Sequence, residues 1–323
     1  MKIQKRLIAE FEEQSYTQII FPHASTDWAE YLQEAEETFV NIINAIREYQ
    51  PCKVICADIN AVKKHFYNTQ NLIFVEYETD DTWARDCSAL SIENHKKKEL
   101  LNFTFNAWGN KFEAKKDNAM TAFLTPNALT CDFVLEGGAI ESNGVYTILT
   151  TSACILNKNR NPTLTQTQIR DKLQEYFGAK NILFLNHGYL AGDDTDSHVD
   201  TLARFISEDT IMYVQCLDEN DEHFYELRLM EHELTELANE YNLKLIPLPL
   251  SDAIYYKNKR LPATYANFLF VNGAVLVPTY GVKTDSLAIA IFDEIFQDRD
   301  VIEVDCLLLI RQHGSLHCTT MNF

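Results

Sequence analysis

Residues 133–156, "FVLEGGAIESNGVYTILTTSACIL", contain the pattern on which the predicted fold rests. An apolar run meets two glycines, and a second apolar run follows Asn143-Gly144, a dipeptide typical of tight hairpins. A helical pattern at 165–178, "TQTQIRDKLQEYFG", and an apolar strand at 179–186, "AKNILFLN", come next. The stretch therefore predicts a strand, its hairpin partner, a helix and a further strand.

The same order of elements recurs roughly five times along the chain, without sequence identity between the units. Residues 265–280, "YANFLFVNGAVLVPTY", repeat the hairpin around Asn272-Gly273, and residues 284–306 add a helix and a strand. Alternating strands and helices indicate an α/β protein, while a hairpin in each unit argues against a simple doubly wound sheet. No change in composition marks a domain boundary within the chain.

One long amphipathic helix is predicted near the start of the chain. Between residues 25 and 51, apolar side chains recur at helical spacing, and Pro51 follows them. Asp27 and Glu30 have the spacing of a capping box, which predicts that the helix begins just after Asp27.

The charge of the chain limits the partners that it can bind. Its 323 residues carry a net charge of −19, and 46% of them are hydrophobic. Nucleic acids and anionic membranes require basic surfaces, so neither is expected as a partner. A negative field attracts cations, which makes a cationic small molecule a candidate substrate, although solubility alone would also explain the charge.

The opening residues and the cysteines indicate a cytoplasmic location. The opening "MKIQKRLIAEFEEQSY" lacks the apolar run of a signal peptide, and no stretch approaches the ~18 apolar residues of a membrane span. The cysteines are scattered through mostly apolar surroundings, which indicates reduced thiols rather than a disulfide framework. They are Cys52, Cys56, Cys87, Cys131, Cys154, Cys216, Cys306 and Cys318.

Residues 193–205, "DDTDSHVDTLARF", contain two candidates for a shared site. His198 and Asp200 are two positions apart, and in an extended segment such side chains point to the same side. Because the segment leads into a strand, we expect both side chains to face one cavity. The alternative is a solvated acidic loop with a structural histidine.

Cys318, in "GSLHCTT", is the candidate nucleophile. A thiol reacts as the thiolate and therefore needs a base or a positive neighbour. His317 is adjacent, but neighbouring side chains of an extended segment point in opposite directions, so we expect it to face away from the thiol. His198 is the better base, and Glu136 of "LEGG" could hold its imidazole in position. Taken alone, Cys318 fits better as a small buried hydrophobic residue.

More carboxylates accompany these residues than a cysteine protease needs. Asp86, in "TWARDC", and Asp200 would repel one another across a pocket unless a cation lay between them. A guanidinium fits, since its planar fork pairs bidentately with carboxylates. The combination therefore indicates attack of a thiolate on a guanidinium carbon.

Six stretches of the chain, in order, resemble the motif series of the agmatine deiminases and the bacterial, Porphyromonas-type peptidyl-arginine deiminase family of the guanidino-group modifying superfamily. They are "TWARDC", "FNAWGNKF", "LEGGAIESNG", "DDTDSHVDTLARF", "YANFLFVNGAVLVP" and "GSLHCTT". The opening "AEFEEQSYTQIIFPH" resembles that family too, so the match covers nearly the whole chain. The resemblance implies the pentein fold, a five-bladed α/β propeller with pseudo-fivefold symmetry of strand-hairpin-helix units. Residues 1–323 would form a single catalytic domain with one central site.

The resemblance also implies a role for each candidate residue. Cys318 would be the nucleophile and His198 the general acid and base. Asp86 and Asp200 would clamp the guanidinium, and Glu136 would orient His198 and hydrogen-bond to it.

Substrate contacts and cofactors follow from the same resemblance. Trp83 and Trp108 would contact the substrate, while its distal amine would meet Asp27, Asp81, Asp285 or Trp108. No metal and no organic cofactor is required. We expect a homo-oligomer, a dimer, although the sequence itself does not address the oligomeric state.

Agmatine is the favoured substrate, with N-carbamoylputrescine and ammonia as products. The chain is short, has no export signal or extra domain, and offers no clear arginine clamp for an α-carboxylate. Peptidyl-arginine or free arginine is the alternative substrate. A non-catalytic guanidine or polyamine-binding protein could keep the same aspartates, and a metal site could gather His198, Asp200, His317 and Cys318.

Overall fold

The computed structural model describes residues 5–323, which form an α/β protein. Within this range there are five sheets of three or four strands and one two-stranded hairpin. The strands are β1 (Lys5–Leu7), β2 (Thr17–Ile20), β3 (Cys52–Cys56), β4 (Leu72–Glu76), β5 (Leu90–Asn94), β6 (Lys97–Thr104), β7 (Leu129–Val134), β8 (Ile140–Ser142), β9 (Thr147–Thr151), β10 (Asn181–Leu185), β11 (Ala203–Ser207), β12 (Thr210–Gln215), β13 (Lys244–Pro249), β14 (Tyr255–Tyr256), β15 (Lys259–Arg260), β16 (Leu269–Val271), β17 (Ala274–Thr279), β18 (Asp300–Asp305) and β19 (Thr320–Asn322). The helices are α1 (Leu32–Arg47), α2 (Ile59–Lys63), α3 (Ala84–Cys87), α4 (Ala107–Asn110), α5 (Lys115–Leu124), α6 (Ser152–Ile155), α7 (Gln166–Phe177), α8 (Phe224–Tyr241) and α9 (Thr284–Ile295).

The five larger sheets share one arrangement of strands. In each, an antiparallel pair adjoins a parallel strand that the chain reaches through a helix. In the sheet β8-β9-β10, for example, β8 and β9 run antiparallel, and α7 lies between β9 and the parallel β10. The predicted recurrence of hairpin, helix and strand is therefore confirmed in four sheets, as is the α/β class, while in the fifth sheet β19 replaces the hairpin partner.

Asparagine-glycine turns close two of the hairpins where the sequence predicts them. The Oδ1 atom of Asn143 accepts hydrogen bonds from the backbone amides of residues 145–147 at 2.9–3.1 Å. Gly144 has a φ of 73°, and Gly273 has a φ of 80° between β16 and β17. Glycine adopts this left-handed conformation at no steric cost, so both turns follow directly from local sequence.

Helix α1 begins later than predicted. Its first residue is Leu32, and Tyr31 at the N-cap makes no side-chain cap. Trp28 is fully buried and donates its indole N–H to Oγ1 of Thr82 at 2.8 Å. The capping box predicted at Asp27 is wrong, because the burial of Trp28 fixes the chain before the helix starts. The apolar face of α1 is buried as predicted.

Strand β19 completes the sheet that contains β2. The two strands run antiparallel, with Thr320 opposite Ile19, so β19 takes the place that the hairpin partner has in the other four sheets. Asn322 fastens β19 from the side: its Oδ1 accepts from Arg85 at 2.7 Å, and its Nδ2 donates to the carbonyl of Phe270 at 2.9 Å. The segment just before β19 is therefore held in the protein interior.

Five short turns, one ahead of an antiparallel strand in each sheet, contact one another in a closed ring. They are Ala84–Cys87 (α3), Gly137–Ala139, Val199–Thr201, Tyr265–Asn267 and 315–319. The first four contact one another in this order. The fifth closes the ring, since the carbonyl of Asn267 accepts from His317 N–H and that of Cys318 from Arg85 N–H, both at 3.2 Å. The ring gathers residues that are far apart in sequence.

The state of the cysteines and the character of the helices can be compared with what the sequence predicts about disulfides and membrane spans. All eight cysteines are buried and free, so the prediction against a disulfide framework is confirmed. Within residues 5–323, no helix has both the length and the apolar character that crossing a bilayer requires.

We expect Asn322→Ala to lower the free energy of unfolding by about 1–3 kcal/mol, because buried partners of Asn322 lose their hydrogen bonds. Urea denaturation followed by tryptophan fluorescence measures the change. Asn127→Ala is the control: Asn127 lies exposed in a turn, and its substitution should change stability by less than about 0.5 kcal/mol. Equal losses in the two variants would contradict the role given to Asn322.

Candidate active site

Three side chains from the ring of turns converge on Gly138. A β-carbon placed on Gly138 would lie 2.7 Å from Nδ1 of His198 and 3.0 Å from both Oδ2 of Asp200 and Oδ1 of Asp86. The first distance is shorter than real β-carbons show and the other two are unusually tight, so a side chain at this position would displace the three groups. The structure thus brings together three of the site residues predicted from the sequence.

Asp86 lies in α3 and accepts hydrogen bonds on both carboxylate oxygens. The backbone N–H of Gly138 donates to Oδ1 at 3.0 Å, and the indole of Trp108 donates to Oδ2 at 2.9 Å. Burial, followed by the negative charges of Asp200 and Glu136, raises the pKa of Asp86 well above its usual value. The neutral form of Asp86 is therefore favoured until a cation enters.

A left-handed turn of the backbone holds Trp108. All four residues of Ala107–Asn110 have positive φ, from 53° to 91°. Such backbone costs energy in non-glycine residues, and strain of this kind concentrates at functional sites. Asn106 supports the turn, since its Oδ1 accepts from the N–H of Gly109 at 3.0 Å. The turn aims the indole N–H at Asp86.

The turn that carries Asp200 differs from the extended segment that the sequence predicts. Val199–Thr201 form a 3₁₀ turn, because the carbonyl of His198 accepts from the backbone N–H and the hydroxyl of Thr201 at 3.2 and 2.8 Å. Threonine hydroxyls compete with extended structure in this way. Both His198 and Asp200 nevertheless point toward Gly138, so a turn, rather than strand alternation, explains their meeting.

Asp200 has one carboxylate oxygen in use and one free. Its Oδ2 lies 2.7 Å from Nδ1 of His317 and 3.7 Å from Sγ of Cys318. Its Oδ1 is buried without a hydrogen-bond partner among the described residues. Burial would raise the pKa of Asp200, but the hydrogen bond and charge of His317 lower it below its usual value. An ionised carboxylate with a free oxygen is suited to a cationic donor.

Cys318 is buried beside Asn267, a residue that the sequence analysis missed. Nδ2 of Asn267 lies 3.3 Å from Sγ, and its Oδ1 accepts from the backbone N–H groups of Cys318 and His317 at 3.3 and 2.9 Å. Burial, with the charges of Asp200 and Asp86, raises the pKa of the Cys318 thiol well above its usual value. The thiol is therefore protonated in the free protein, and formation of the thiolate requires a cation nearby.

His198 is fully buried, and the hydrogen bond predicted between it and Glu136 is not formed. Neither ring nitrogen of His198 has a hydrogen-bond partner within residues 5–323, and Nδ1 lies 3.7 Å from Oδ1 of Asp86. Glu136 instead accepts from Nε of Arg160, which lies 2.9 Å from each of its oxygens. A buried carboxylate needs a paired cation, and Arg160 rather than His198 supplies it to Glu136. Burial lowers the pKa of His198 to about 3, so its imidazole is neutral.

Arg160 is the second residue of the site that sequence analysis missed. It is buried, and besides Glu136 it donates to Asp196 at 2.7 Å and to the carbonyl of Thr195 at 2.9 Å. It stands in the polar stretch "NKNRNP", which has no motif to single it out. The sequence signal for Asn267 was weak. A single asparagine stands just before an apolar strand, and elsewhere in the chain an aspartate holds the corresponding position.

The described residues contain one cluster of potential metal ligands. Ligand atoms of Glu136, Cys154 and His198 lie within 4.8 Å of one another. Arg160 already neutralises Glu136, and burial raises the pKa of the Cys154 thiol well above its usual value. A divalent cation would have to displace a buried guanidinium and deprotonate that thiol, so the cluster fits a metal poorly. The four residues considered as metal ligands from the sequence do not form such a cluster within residues 5–323.

A cavity of about 380 Å³ opens onto Cys318 and Asp86. Trp83 and Trp108, the two tryptophans predicted to contact substrate, both line it. Its wall also contains the acidic residues Asp27, Asp80, Asp81, Glu113, Asp117 and Asp194. Among the described residues, no lysine or arginine lines the cavity. The cavity is therefore suited to a ligand with positive charge at more than one point.

Asp81 lies in that wall beside Trp83. Its Oδ2 accepts from the indole of Trp83 at 2.9 Å, whereas its Oδ1 is buried without a partner in the described part of the chain. Burial, with the charges of Asp27 and Asp117, raises the pKa of Asp81 to about 8. A cation next to the free oxygen would favour the ionised form.

Asp285, another candidate for the distal amine, does not belong to the cavity. Its carboxylate accepts from the hydroxyl of Tyr265 at 2.6 Å and from the backbone N–H groups of Tyr280 and Val282 at 3.1 and 3.0 Å. These bonds hold the turn between β17 and α9, so Asp285 has a structural role.

The sequence profile of the Porphyromonas-type peptidyl-arginine deiminase family matches residues 6–323. This chain belongs to that family. The family membership predicted from the motif series is thus confirmed, and the match includes all five turns of the ring.

Solved structures of deiminases are similar to this family member over its whole length. A cysteine-to-serine variant of C. jejuni agmatine deiminase with substrate bound is 40% identical, with a TM-score of 0.95 over 98% of this chain and 96% of that one. A second structure of C. jejuni agmatine deiminase is 39% identical, with a TM-score of 0.92 over 99% and 96%. The agmatine deiminase of Enterococcus faecalis is 26% identical, with a TM-score of 0.91 over 99% and 95%.

We expect Gly138→Ala to lower turnover of a guanidino substrate by about 10²-fold, because its methyl group displaces the three side chains that meet there. Steady-state kinetics measures this loss, and circular dichroism checks the fold. Gly281→Ala is the control: a β-carbon at Gly281 meets nothing within 4 Å, although its φ of 72° makes alanine strained there. Equal loss of activity in both variants would contradict a steric effect at the site.

Proposed function

We propose that this chain is an agmatine deiminase, which hydrolyses agmatine to N-carbamoylputrescine and ammonia through a covalent adduct on Cys318. The family and the similarity to agmatine deiminases of two organisms support hydrolysis of a guanidino C–N bond. The observation that carries the substrate assignment is the wall of the cavity. It joins Cys318 to seven acidic side chains, Asp86 among them, without a lysine or arginine among the described residues.

The charge of this wall distinguishes between guanidino substrates. Agmatine carries a guanidinium at one end and an ammonium at the other, so both ends gain from negative surroundings. Free arginine would bring its α-carboxylate toward the acids, with no cation in the described wall to receive it. A peptidyl arginine would bring an uncharged backbone, which gains nothing from the acids.

Binding of the guanidinium activates the nucleophile. Asp86 and Asp200 hold the cation, and Oδ1 of Asp200 offers an acceptor that nothing else in the described chain uses. The positive charge counteracts the effects that raise the pKa of Asp86 and of the Cys318 thiol. Cys318 then transfers its proton to His198, which burial keeps neutral, and its sulfur bonds to the guanidinium carbon.

The adduct breaks down in two steps. His198 returns the proton to one nitrogen, the C–N bond breaks and ammonia leaves. A water molecule then gives a proton to His198 and bonds to the same carbon. The C–S bond breaks, His198 returns its proton to the departing sulfur, and the ureido product releases its extra proton to solvent. The fixed carboxylates of Asp86 and Asp200 stabilise the spread positive charge throughout, which should be the largest contribution to the rate.

Three further side chains support the reacting groups. Glu136, neutralised by Arg160, lies beside His198 and would orient the ring by packing, without the hydrogen bond that the sequence predicts. Trp83 and Trp108 flank the substrate, where aromatic faces attract a cation.

The finer architecture is part of the same proposal. The five sheets with one strand arrangement and the closed ring of five turns support a five-bladed pentein propeller with pseudo-fivefold symmetry. We assign residues 1–323 to a single catalytic domain, supported by one contiguous buried core within residues 5–323. A cytoplasmic homodimer completes the proposal, and the eight free thiols support a reducing compartment.

Cys318→Ala should abolish turnover of agmatine while the variant still binds it in calorimetry. Chloroacetamidine, a cation, should alkylate Cys318 of the unsubstituted protein about tenfold or more faster than neutral chloroacetamide, because each pKa unit changes the thiolate fraction tenfold. Mass spectrometry of the labelled peptide follows both rates. Residual turnover in the alanine variant, or equal rates for the two reagents, would refute the nucleophile. A non-catalytic guanidine binder would show binding without ammonia release.

Asp81→Asn should raise KM for agmatine with a smaller change in kcat, because Asp81 would bind the distal ammonium. The pKa of Asp81 is raised to about 8, and an ammonium favours its ionised form, so KM for agmatine should fall as pH rises through 8. Butylguanidine lacks the amine, and neither the variant nor this pH change should affect its KM. Glu113→Gln, which alters an exposed acid of the same wall, is the matched control. An equal effect of Asp81→Asn on both substrates would exclude this subsite.

A further inference from the structure

His317, the residue before the nucleophile, lies between two carboxylates. Its Nδ1 is 2.7 Å from Oδ2 of Asp200, and its Nε2 is 2.5 Å from Oε2 of Glu10. His317 and Glu10 line a second cavity of about 70 Å³, whereas Cys318 lines the larger one. The two neighbouring side chains therefore face different cavities, as the sequence predicts, but they meet at one carboxylate.

The two contacts of His317 limit the number of protons on its ring. An ionised carboxylate only accepts hydrogen bonds, and a neutral imidazole donates from one nitrogen only. Two ionised carboxylates facing the two ring nitrogens therefore require an imidazolium. A neutral ring would force a proton onto Glu10 or Asp200.

The charges around His317 favour its protonated form. Glu10 also lies 3.1 Å from Arg85 and 3.3 Å from Arg204, and Arg204 pairs with a further carboxylate. A protonated His317 gives this buried cluster as many cations as carboxylates, whereas a neutral one leaves a buried negative charge unmatched. The members are Glu10, Glu141 and Asp200 with Arg85, Arg204 and His317.

We propose that His317 is a positioning residue that acts through Asp200. Its imidazolium keeps the Asp200 carboxylate ionised and in place beside Cys318 before the substrate arrives. The inference rests on the proposed function, in which Asp200 binds the guanidinium.

The two aspartates of the clamp then differ in the free protein. Burial would raise the pKa of Asp200, yet its hydrogen bond to His317 lowers it, while no cation opposes the effect of burial on Asp86. Asp86 faces an indole N–H and a backbone N–H, both uncharged donors. The guanidinium therefore meets its first full negative charge at Asp200, close to the sulfur, and ionises Asp86 as it enters.

Nuclear magnetic resonance reads the protonation of His317 directly. In protein labelled with ¹⁵N in its histidine rings, the His317 signals are assigned by their loss in His317→Asn. We expect protons on both ring nitrogens of His317 at neutral pH. A neutral ring at that pH would overturn the proposal, whether or not agmatine is the substrate.

Kinetics tests the effect of His317 on Asp200. His317→Asn keeps a possible donor toward Asp200 but removes the positive charge. We expect kcat/KM for agmatine to fall by about 10- to 100-fold, as when an outer partner of a ligating group is lost. Without the imidazolium, Asp200 takes up its proton at higher pH, so the acid limb of the kcat/KM profile should move to higher pH. An unmoved acid limb would contradict the proposal.

His223→Asn is the matched control for a merely structural effect. His223 is also buried and lies 2.7 Å from a carboxylate oxygen, of Asp221, but it lines neither of the two cavities described. Its loss should leave the acid limb in place even if it lowers stability. A shift of the same size in this variant would show that the effect of His317 is not specific.

Glu10→Gln keeps the test available if His317→Asn fails to fold. It replaces the carboxylate at Nε2 of His317 by an uncharged amide, so the imidazolium is stabilised less and the His317 ring should lose one of its two protons at a lower pH than in the unsubstituted protein. Retention of both ring protons over the same pH range as in the unsubstituted protein would count against the proposal. If the unsubstituted protein does not hydrolyse agmatine, the proposed function fails separately. The pH profile of Cys318 alkylation by chloroacetamidine then replaces kcat/KM in the same comparison.

Discussion

The pairing of β19 with β2 is the constraint on which the site depends. In the other four sheets, the antiparallel partner is a nearby part of the chain, but this sheet takes its partner from the opposite end of the sequence. Because β19 is held there, the turn 315–319 joins the ring and Cys318 reaches the aspartates. Asn322 anchors β19 through its hydrogen bonds to Arg85 and Phe270, and this anchor helps to keep Cys318 in the interior.

A second constraint is electrostatic: the site buries more acidic groups than fixed positive charges. Asp86 and the thiol avoid the cost by remaining protonated, and Asp200 avoids it through His317. Glu136 avoids it through Arg160. The arrangement lacks one cation, and a guanidinium supplies a positive charge in planar form. Charge balance, rather than shape alone, therefore links the fold to a cationic substrate.

The features that local sequence determines were predictable, and those set by distant partners were not. The Asn143 turn and the apolar periodicity follow from short-range rules, and the ordered motifs identified the family. Arg160 and Asn267 escaped notice because their roles exist only where separate turns meet. The start of α1 was misjudged because the burial of Trp28 overrides a local cap. Asp285 stood among the candidates for the distal amine because a sequence does not reveal that backbone amides already occupy a carboxylate.

The closure of one sheet by β19 also has a consequence for how the enzyme is made. During synthesis, the residues around Cys318 leave the ribosome after every other part of the site. The sheet can close only when segments some 300 positions apart in sequence have found one another, which is a contact of very high sequence separation and therefore slow to form. Until β19 pairs with β2, nothing holds Cys318 beside Asp200 and Asn267, so the candidate site is complete only once this slow contact has formed.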